Sequence, residues 1–143
     1  MHLKLWMGLV LFLVMACQPE VEQIQYGRDS CVYCKMTISD RRYGAELVTQ
    51  KGKVYKFDAI ECMLDYMQEN EANYAYYMAV AYDHPGTLQP TDSLTYLIAE
   101  NMPSPMGAFL TAFSTQSIAK EFQKDQGGEL YSWSALQRKF ETQ

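Results

Sequence analysis

Apolar positions recur regularly from residue 43 onward, and the first half of this pattern predicts two strands, a helix and a third strand. The Lys51-Gly52 pair separates two apolar runs, as the turn of a β-hairpin does. Apolar residues then recur at helical spacing, with Asp58 and Glu61 at the positions of a capping box at the start of the helix. The predicted strands are residues 45–50, 53–57 and 74–81, and the predicted helix is residues 58–69.

The same order of elements recurs in the second half of the chain. Phe113-Ser114 repeats Phe57-Asp58, because each pair joins the end of a strand candidate to the start of a helix candidate. A short additional helix is predicted near the C-terminus. The predicted strands are residues 94–99, 107–113 and 129–133, and the predicted helices run from 114 or 115 to about 126 and over 134–140.

The repeat defines the predicted fold class. The first unit covers residues 31–86 and the second covers residues 87–143. Units of this size are too small to be stable alone, so they should pack together on one core. We therefore expect an α+β fold of two small ββαβ units with antiparallel-rich sheets and one helix each.

The first seventeen residues have the pattern of a secretory signal. Lys4 precedes an apolar run over 5–16, which is shorter than the roughly 20 apolar residues that span a bilayer. The run ends at Cys17 and resembles a bacterial lipobox, in which this cysteine becomes the lipidated first residue of the mature chain. The alternative is a buried helix with an incidental cysteine. We predict a signal peptide over 1–16 and a polar, lipidated tether over 17–30 that anchors the protein to a membrane. The expected location is the cell envelope, facing the periplasm or the exterior, with the outer membrane favoured in a Gram-negative cell.

Composition excludes several classes of function. The net charge is -5 and the basic residues do not cluster, which argues against nucleic-acid binding. No Ser-His-Asp set, phosphate-binding loop or pair of carboxylates is recognisable in the sequence, so a hydrolase or a kinase has no support and a binding protein without catalytic activity is the prediction. Four cysteines occur, and lipidation of Cys17 would leave an odd number for disulfide pairing.

A segment with three sulfur atoms in six residues is the main candidate for chemistry. Cys31, Cys34 and Met36 offer soft donors, and this combination favours Cu(I). Zinc could use both cysteines, but a structural zinc site requires four nitrogen or sulfur ligands. Cys31 and Cys34 could also form a redox pair or a disulfide, although no helix pattern follows them as in thiol oxidoreductases. Copper binding, a thiol oxidoreductase and a structural zinc module therefore remain open at this point.

Further residues are candidates for the same site. Met102 and Met106 flank a Pro-containing segment before a strand, where a methionine could be directed at a metal, although core packing is the commoner role. Cys62 lies off the apolar stripe of its predicted helix, so it faces either a second packed layer or the metal. His84 precedes a Pro-Gly turn and is most simply a solvated turn residue.

Three motifs, at residues 31–46, 56–64 and 102–113, together resemble the NosL family of copper-binding lipoproteins. The resemblance extends from residue 31 to about residue 133, and the ordered set of motifs is more specific than any one of them. It implies small ββαβ units, Cu(I) as the cargo, and an apo copper enzyme, nitrous oxide reductase, as the partner. The sequence itself leaves a monomer and a homodimer open, and a homodimer could complete the copper coordination from two chains.

The resemblance also implies which residues bind the metal. Cys34, Met36 and Met106 match the family's copper ligands by position. Cys31 matches a cysteine that only some members of the family have. Cys62 falls in a Phe-Asp-x-x-x-Cys pattern that the family shares.

Overall fold

The computed structural model describes residues 18–142, so the predicted signal peptide and the predicted lipidation site at Cys17 lie outside the described residues. Within this range, seven strands form two antiparallel sheets and three α-helices pack against them. No helix of the described range is long and apolar enough to cross a membrane. The strands are β1 (Ala45–Thr49), β2 (Val54–Phe57), β3 (Tyr74–Val80), β4 (Leu88–Pro90), β5 (Thr95–Ile98), β6 (Leu110–Phe113) and β7 (Glu129–Tyr131). The helices are α1 (Ile60–Glu69), α2 (Gln116–Gln126) and α3 (Trp133–Glu141).

The first sheet has the strand order β2-β1-β3-β4. The predicted hairpin is present, with Ala45 opposite Phe57 and a left-handed Gly52 (φ +82°) in the turn. Strand β4 was not predicted, because three residues ending in proline carry no alternation of apolar and polar positions. It pairs with the end of β3, where Pro90 lies opposite Met78 on the edge of the sheet. The first sheet therefore extends past residue 86, where the predicted first unit ends.

The second sheet has the strand order β6-β5-β7, and two of its predicted boundaries are wrong by two residues or more. Strand β6 begins at Leu110 and not at residue 107, because Gly107 and Phe109 have left-handed φ angles of +80° and +56°. Strand β7 ends at Tyr131, and Trp133 belongs to α3. The hydroxyl of Ser132 accepts a hydrogen bond from the amide of Ala135 (3.3 Å) and so caps that helix.

The N-cap of helix α1 lies one residue later than the capping-box pattern predicts, and the helix begins at Ile60 and not at residue 58. Its N-cap residue is Ala59, and no side-chain capping hydrogen bond forms there in the described chain. Asp58 is not the cap, since its carboxylate accepts the amide of Ser39. Glu61 does not reach back to the cap either, because its carboxylate contacts a loop of the second unit.

One buried core connects the two sheets, as expected for units that share a core. Apolar side chains of α3 belong to the same cluster as Leu47 of β1, Met63 of α1 and Tyr96 of β5. The side-chain amide of Gln68 also donates to the carbonyl of Phe140 (2.7 Å), which joins α1 to α3. The α3 members of the cluster are Trp133, Leu136 and Phe140.

Residues 18–30 contact the first sheet, although their polar composition predicts a tether. Ile24 is buried, and the amide of Glu22 donates to the Glu46 carboxylate on β1 (2.8 Å). The ammonium group of Lys56 pairs with Asp29 (2.9 Å) and Glu22 (3.2 Å). These contacts bring the chain to β2 just before the cysteine segment begins.

Candidate metal site

The first part of the site is a tight turn over residues 31–36. The amide of Cys31 donates to the carbonyl of Met36 (2.8 Å), and the amide of Lys35 donates to the carbonyl of Cys31 (3.0 Å). An antiparallel bridge between Ser30 and Thr37 closes the base of the turn. Lys35 adopts a left-handed φ of +66°, the strained conformation that reverses the chain here.

The second part of the site is the first turn of α1. The amide of Val32 donates to the carbonyl of Lys56 (2.9 Å), which docks the turn beside β2. Helix α1 follows β2 directly, so Cys62 in its first turn meets the docked cysteine pair. The sulfur atoms of Cys31, Cys34 and Cys62 all lie within 4.8 Å of one another. All three cysteines are free thiols in the described chain.

The electrostatic environment of the cluster favours one thiolate, at Cys31. A hydrogen bond from the Cys62 thiol lowers the pKa of Cys31, against the opposing effect of burial. The backbone amides of Asp58, Cys34 and Tyr33 also stabilise the thiolate. These hydrogen bonds favour the thiolate form of Cys31, the form in which a cysteine binds a metal ion.

The other two thiols keep their protons more strongly. The hydrogen bond to Cys31 and burial raise the pKa of Cys62, and burial raises the pKa of Cys34. A bound cation would reverse this effect and displace the protons, as metal binding to thiols does generally. The position of Cys62 in the first turn of α1 also favours negative charge, because the helix dipole is positive there.

The sulfur-containing residues of the candidate site differ in their exposure to solvent. Cys31 and Cys62 are each only 1% exposed, whereas Cys34 is partly exposed. The thioethers predicted to belong to the site are at the surface, with Met36 54% and Met106 41% exposed. The amide of Met106 donates to Glu61, the residue before Cys62 (3.3 Å), so its loop is attached to the cysteine helix.

Two other candidates lie away from the cluster. Met102 is buried in a second, smaller core cluster, which it forms with Leu97, Ala99, Phe113 and Ala119 and where it has the packing role common for methionine. His84 is exposed, and its Nδ1 atom contacts the carboxylate of Asp83 (3.0 Å). The structure thus brings together the three thiols and leaves both of these residues in other surroundings.

The place of Cys62 in the thiol cluster was the least predictable feature of the site. The predicted helix places this cysteine near the helix start, directly after a strand. No local signal says that the Cys31–Met36 turn docks beside that strand, because the hydrogen bond between Val32 and Lys56 joins residues far apart in sequence.

The fold and the three-thiol cluster define a small α+β protein with a site for a soft metal ion. The NosL family model matches residues 23–140, and the chain therefore belongs to the NosL family. The crystal structure of the copper chaperone NosL from Shewanella denitrificans superposes with a TM-score of 0.67 and 16% sequence identity, over 80% of this chain and 93% of that chain. At this identity the likeness shows the fold. No curated protein matches the chain. The family resemblance and the predicted α+β fold are thus confirmed.

Proposed function

We propose that the protein is an extracytoplasmic lipoprotein that binds Cu(I) and delivers it for assembly of a copper enzyme, nitrous oxide reductase. The observation that carries this proposal is the group of three free thiols within 4.8 Å. The structural relative with the same fold is a copper chaperone, which supports the same cargo. The proposal contains no catalytic step.

The donor set favours Cu(I) over other metal ions. Thiolates are soft ligands, and soft ligands select Cu(I) over ions that prefer oxygen. A structural zinc site would require a fourth nitrogen or sulfur ligand, and the cluster found within residues 18–142 has three members, all cysteines. Cu(I) is satisfied by two or three sulfurs, so Cys31, Cys34 and Cys62 suffice, with Met36 and Met106 as additional donors at the surface.

The presence of both buried and exposed sulfur donors in one site supports delivery of the copper ion and not only its storage. Cys31 and Cys62 hold the ion away from solvent, whereas Cys34, Met36 and Met106 lie nearer the surface, where an acceptor could reach it. Transfer would then proceed by exchange of one sulfur ligand at a time. The predicted lipid anchor at Cys17 would keep the donor close to the membrane and raise its effective concentration near the acceptor.

An anaerobic Cu(I) titration of the mature chain tests the proposal. We expect one Cu(I) per chain, strongly weakened binding in Cys34→Ser, and weaker binding in Met36→Leu and Met106→Leu. Met102→Leu is the matched control, because this methionine packs in the second core cluster and should bind copper as the parent does. Parent-like affinity in the Cys34→Ser variant would contradict the assignment. Transfer of the bound ion to apo nitrous oxide reductase tests the partner, and failure to transfer would remove that part of the proposal.

A thiol oxidoreductase is the second candidate, because the lowered pKa of Cys31 is also what a redox-active thiol requires. Its burial argues against this, since an attacking thiolate must reach its substrate and Cys31 is 1% exposed. A disulfide-exchange assay separates the two functions. Turnover that disappears in Cys31→Ser would favour the oxidoreductase, whereas absence of turnover together with copper binding supports the chaperone.

A further inference from the structure

The loop over residues 99–107 carries Met106, and two hydrogen bonds anchor its first part. The amide of Met102 donates to the carbonyl of Ala99 (2.9 Å), and the hydroxyl of Tyr43 donates to the carbonyl of Pro103 (3.2 Å). The Met106 side chain extends from the far end of the loop and is exposed. Its position relative to the thiols therefore depends on what holds that end.

A single buried carboxylate holds the far end of the loop. Oε1 of Glu61 accepts hydrogen bonds from the Ser104 hydroxyl (2.5 Å) and the Met106 amide (3.3 Å). The Ser104 hydroxyl in turn accepts the amide of Leu110 (3.3 Å), which continues the connection into β6. Glu61 directly precedes Cys62, so the same turn of α1 carries one of the clustered thiols and the carboxylate that binds the loop.

Burial of the Glu61 carboxylate lowers the stability of the folded protein. Glu61 is 3% exposed, and its second oxygen, Oε2, has no hydrogen-bond partner among the residues that the structure describes. A buried polar atom without a partner costs free energy that an apolar side chain would not. The Glu61 carboxylate does not bond back to the amide of Ala59, the N-cap residue, and within α1 it contacts its own backbone amide. Its hydrogen bonds to other residues are directed to the Met106 loop.

We propose that Glu61 is a positioning residue that fixes the Met106 thioether beside the thiol cluster, so that Met106 acts as the outermost sulfur donor to the metal. The inference rests on the proposed copper site and names the residue that completes it. Glu61 itself does not bind the ion. It attaches the methionine loop to the helix that carries Cys62. Because of this attachment, the loop is already ordered before copper binds.

The experiment compares Glu61→Ala, Glu61→Gln, Met106→Leu and the double variant Glu61→Ala/Met106→Leu in the mature chain. Each is loaded anaerobically with Cu(I), and its affinity is measured by competition with a Cu(I)-specific chelator. Copper X-ray absorption then gives the number of sulfur ligands. The exposed Glu121 of α2 supplies the matched control, Glu121→Ala, which should behave as the parent does.

We expect Glu61→Ala to weaken Cu(I) binding by about tenfold, the lower range for loss of a group that orients a metal ligand. Met106→Leu should have an effect of similar size, and the double variant should be no weaker than either single variant. Both single variants should lose one sulfur from the copper. Glu61→Gln should retain the parent's affinity, because its amide oxygen can accept the same two hydrogen bonds.

Two results would overturn the inference while leaving the copper site intact: full sulfur coordination in Glu61→Ala, or independent, additive losses in the double variant. Ser104→Ala provides a second test if Glu61→Ala does not fold, since it removes one of the two contacts to the loop. A parent chain that does not bind Cu(I) would instead refute the proposed function. The two failures are therefore distinguishable.

Discussion

The buried carboxylate of Glu46 should make the stability of the protein fall as the pH rises. Glu46 lies on β1 opposite Lys56 and has no exposed surface. One of its oxygens accepts the amide of Glu22, and the other, Oε2, has no hydrogen-bond partner within residues 18–142. Burial raises the pKa of Glu46 from 4.5 to about 7, although the Glu22 amide and the Lys56 charge oppose this change.

The sign and size of the effect follow from this pKa. The folded protein holds the proton of Glu46 more tightly than the unfolded chain does, so the contribution is fully present below pH 4.5 and is lost as pH rises through about 7. Since one pKa unit corresponds to about 1.4 kcal/mol, the loss is on the order of 3 kcal/mol. Glu46→Gln removes the ionisation and keeps an oxygen for the Glu22 amide. The variant should therefore match the parent at about pH 4.5 and exceed its stability by about 2–3 kcal/mol at about pH 8.

Urea denaturation followed by circular dichroism, on reduced and metal-free protein, measures this difference at both pH values. Comparing variant with parent at each pH removes the contributions of other titrating groups, such as Asp58 and Asp65, whose pKa values are also raised by burial. Glu121→Gln on the surface of α2 is the control and should show no pH-dependent difference from the parent. An equal stability difference between Glu46→Gln and the parent at both pH values would refute the reasoning.

Two further predictions concern the second unit. Gly128→Ala should destabilise the fold by about 3 kcal/mol or more, because a Cβ atom there would lie 2.1 Å from the carbonyl oxygen of Ile98. Gly127→Ala is the control, with a similar positive φ but no atom within 4 Å, and should cost about 1–3 kcal/mol from the backbone conformation alone; equal losses in thermal denaturation would contradict the steric argument. Thr115→Ala should cost about 1 kcal/mol, since the Thr115 hydroxyl caps α2 by accepting the amide of Ile118 (3.2 Å). Thr115→Ser should retain most of that stability in the same assay, and a loss as large as that of Thr115→Ala would contradict the capping role.

Elements with a local signal were predictable from the sequence. The Lys51-Gly52 turn and the helical spacing after Asp58 depend on neighbouring residues alone, and both elements are present. Boundaries failed where one local signal competed with another. Trp133 looks like the end of an apolar strand, yet the capping hydroxyl of Ser132 starts a helix before it.

The membership of the site was less predictable, because it depends on tertiary contacts. The Cys31–Met36 motif was visible as a soft-metal candidate from its spacing alone. The proximity of this motif to Cys62 depends on a backbone hydrogen bond from Val32 to β2. The sequence predicts a capping role for Glu61, because the contacts of Glu61 with the distant loop have no sequence signature.

The three sulfurs come from two separate parts of the chain, and this has a mechanical consequence. Cys31 and Cys34 belong to an irregular segment, whereas Cys62 belongs to a helix packed in the core. An ion held by all three would crosslink a loop of about 30 residues, and a crosslink of this span removes unfolded-state entropy worth roughly 3–4 kcal/mol. The loaded and empty forms should thus differ in how firmly the N-terminal segment is fastened to the domain. An acceptor protein could then distinguish a loaded donor from a spent one by the rigidity of that segment, without contacting the metal first.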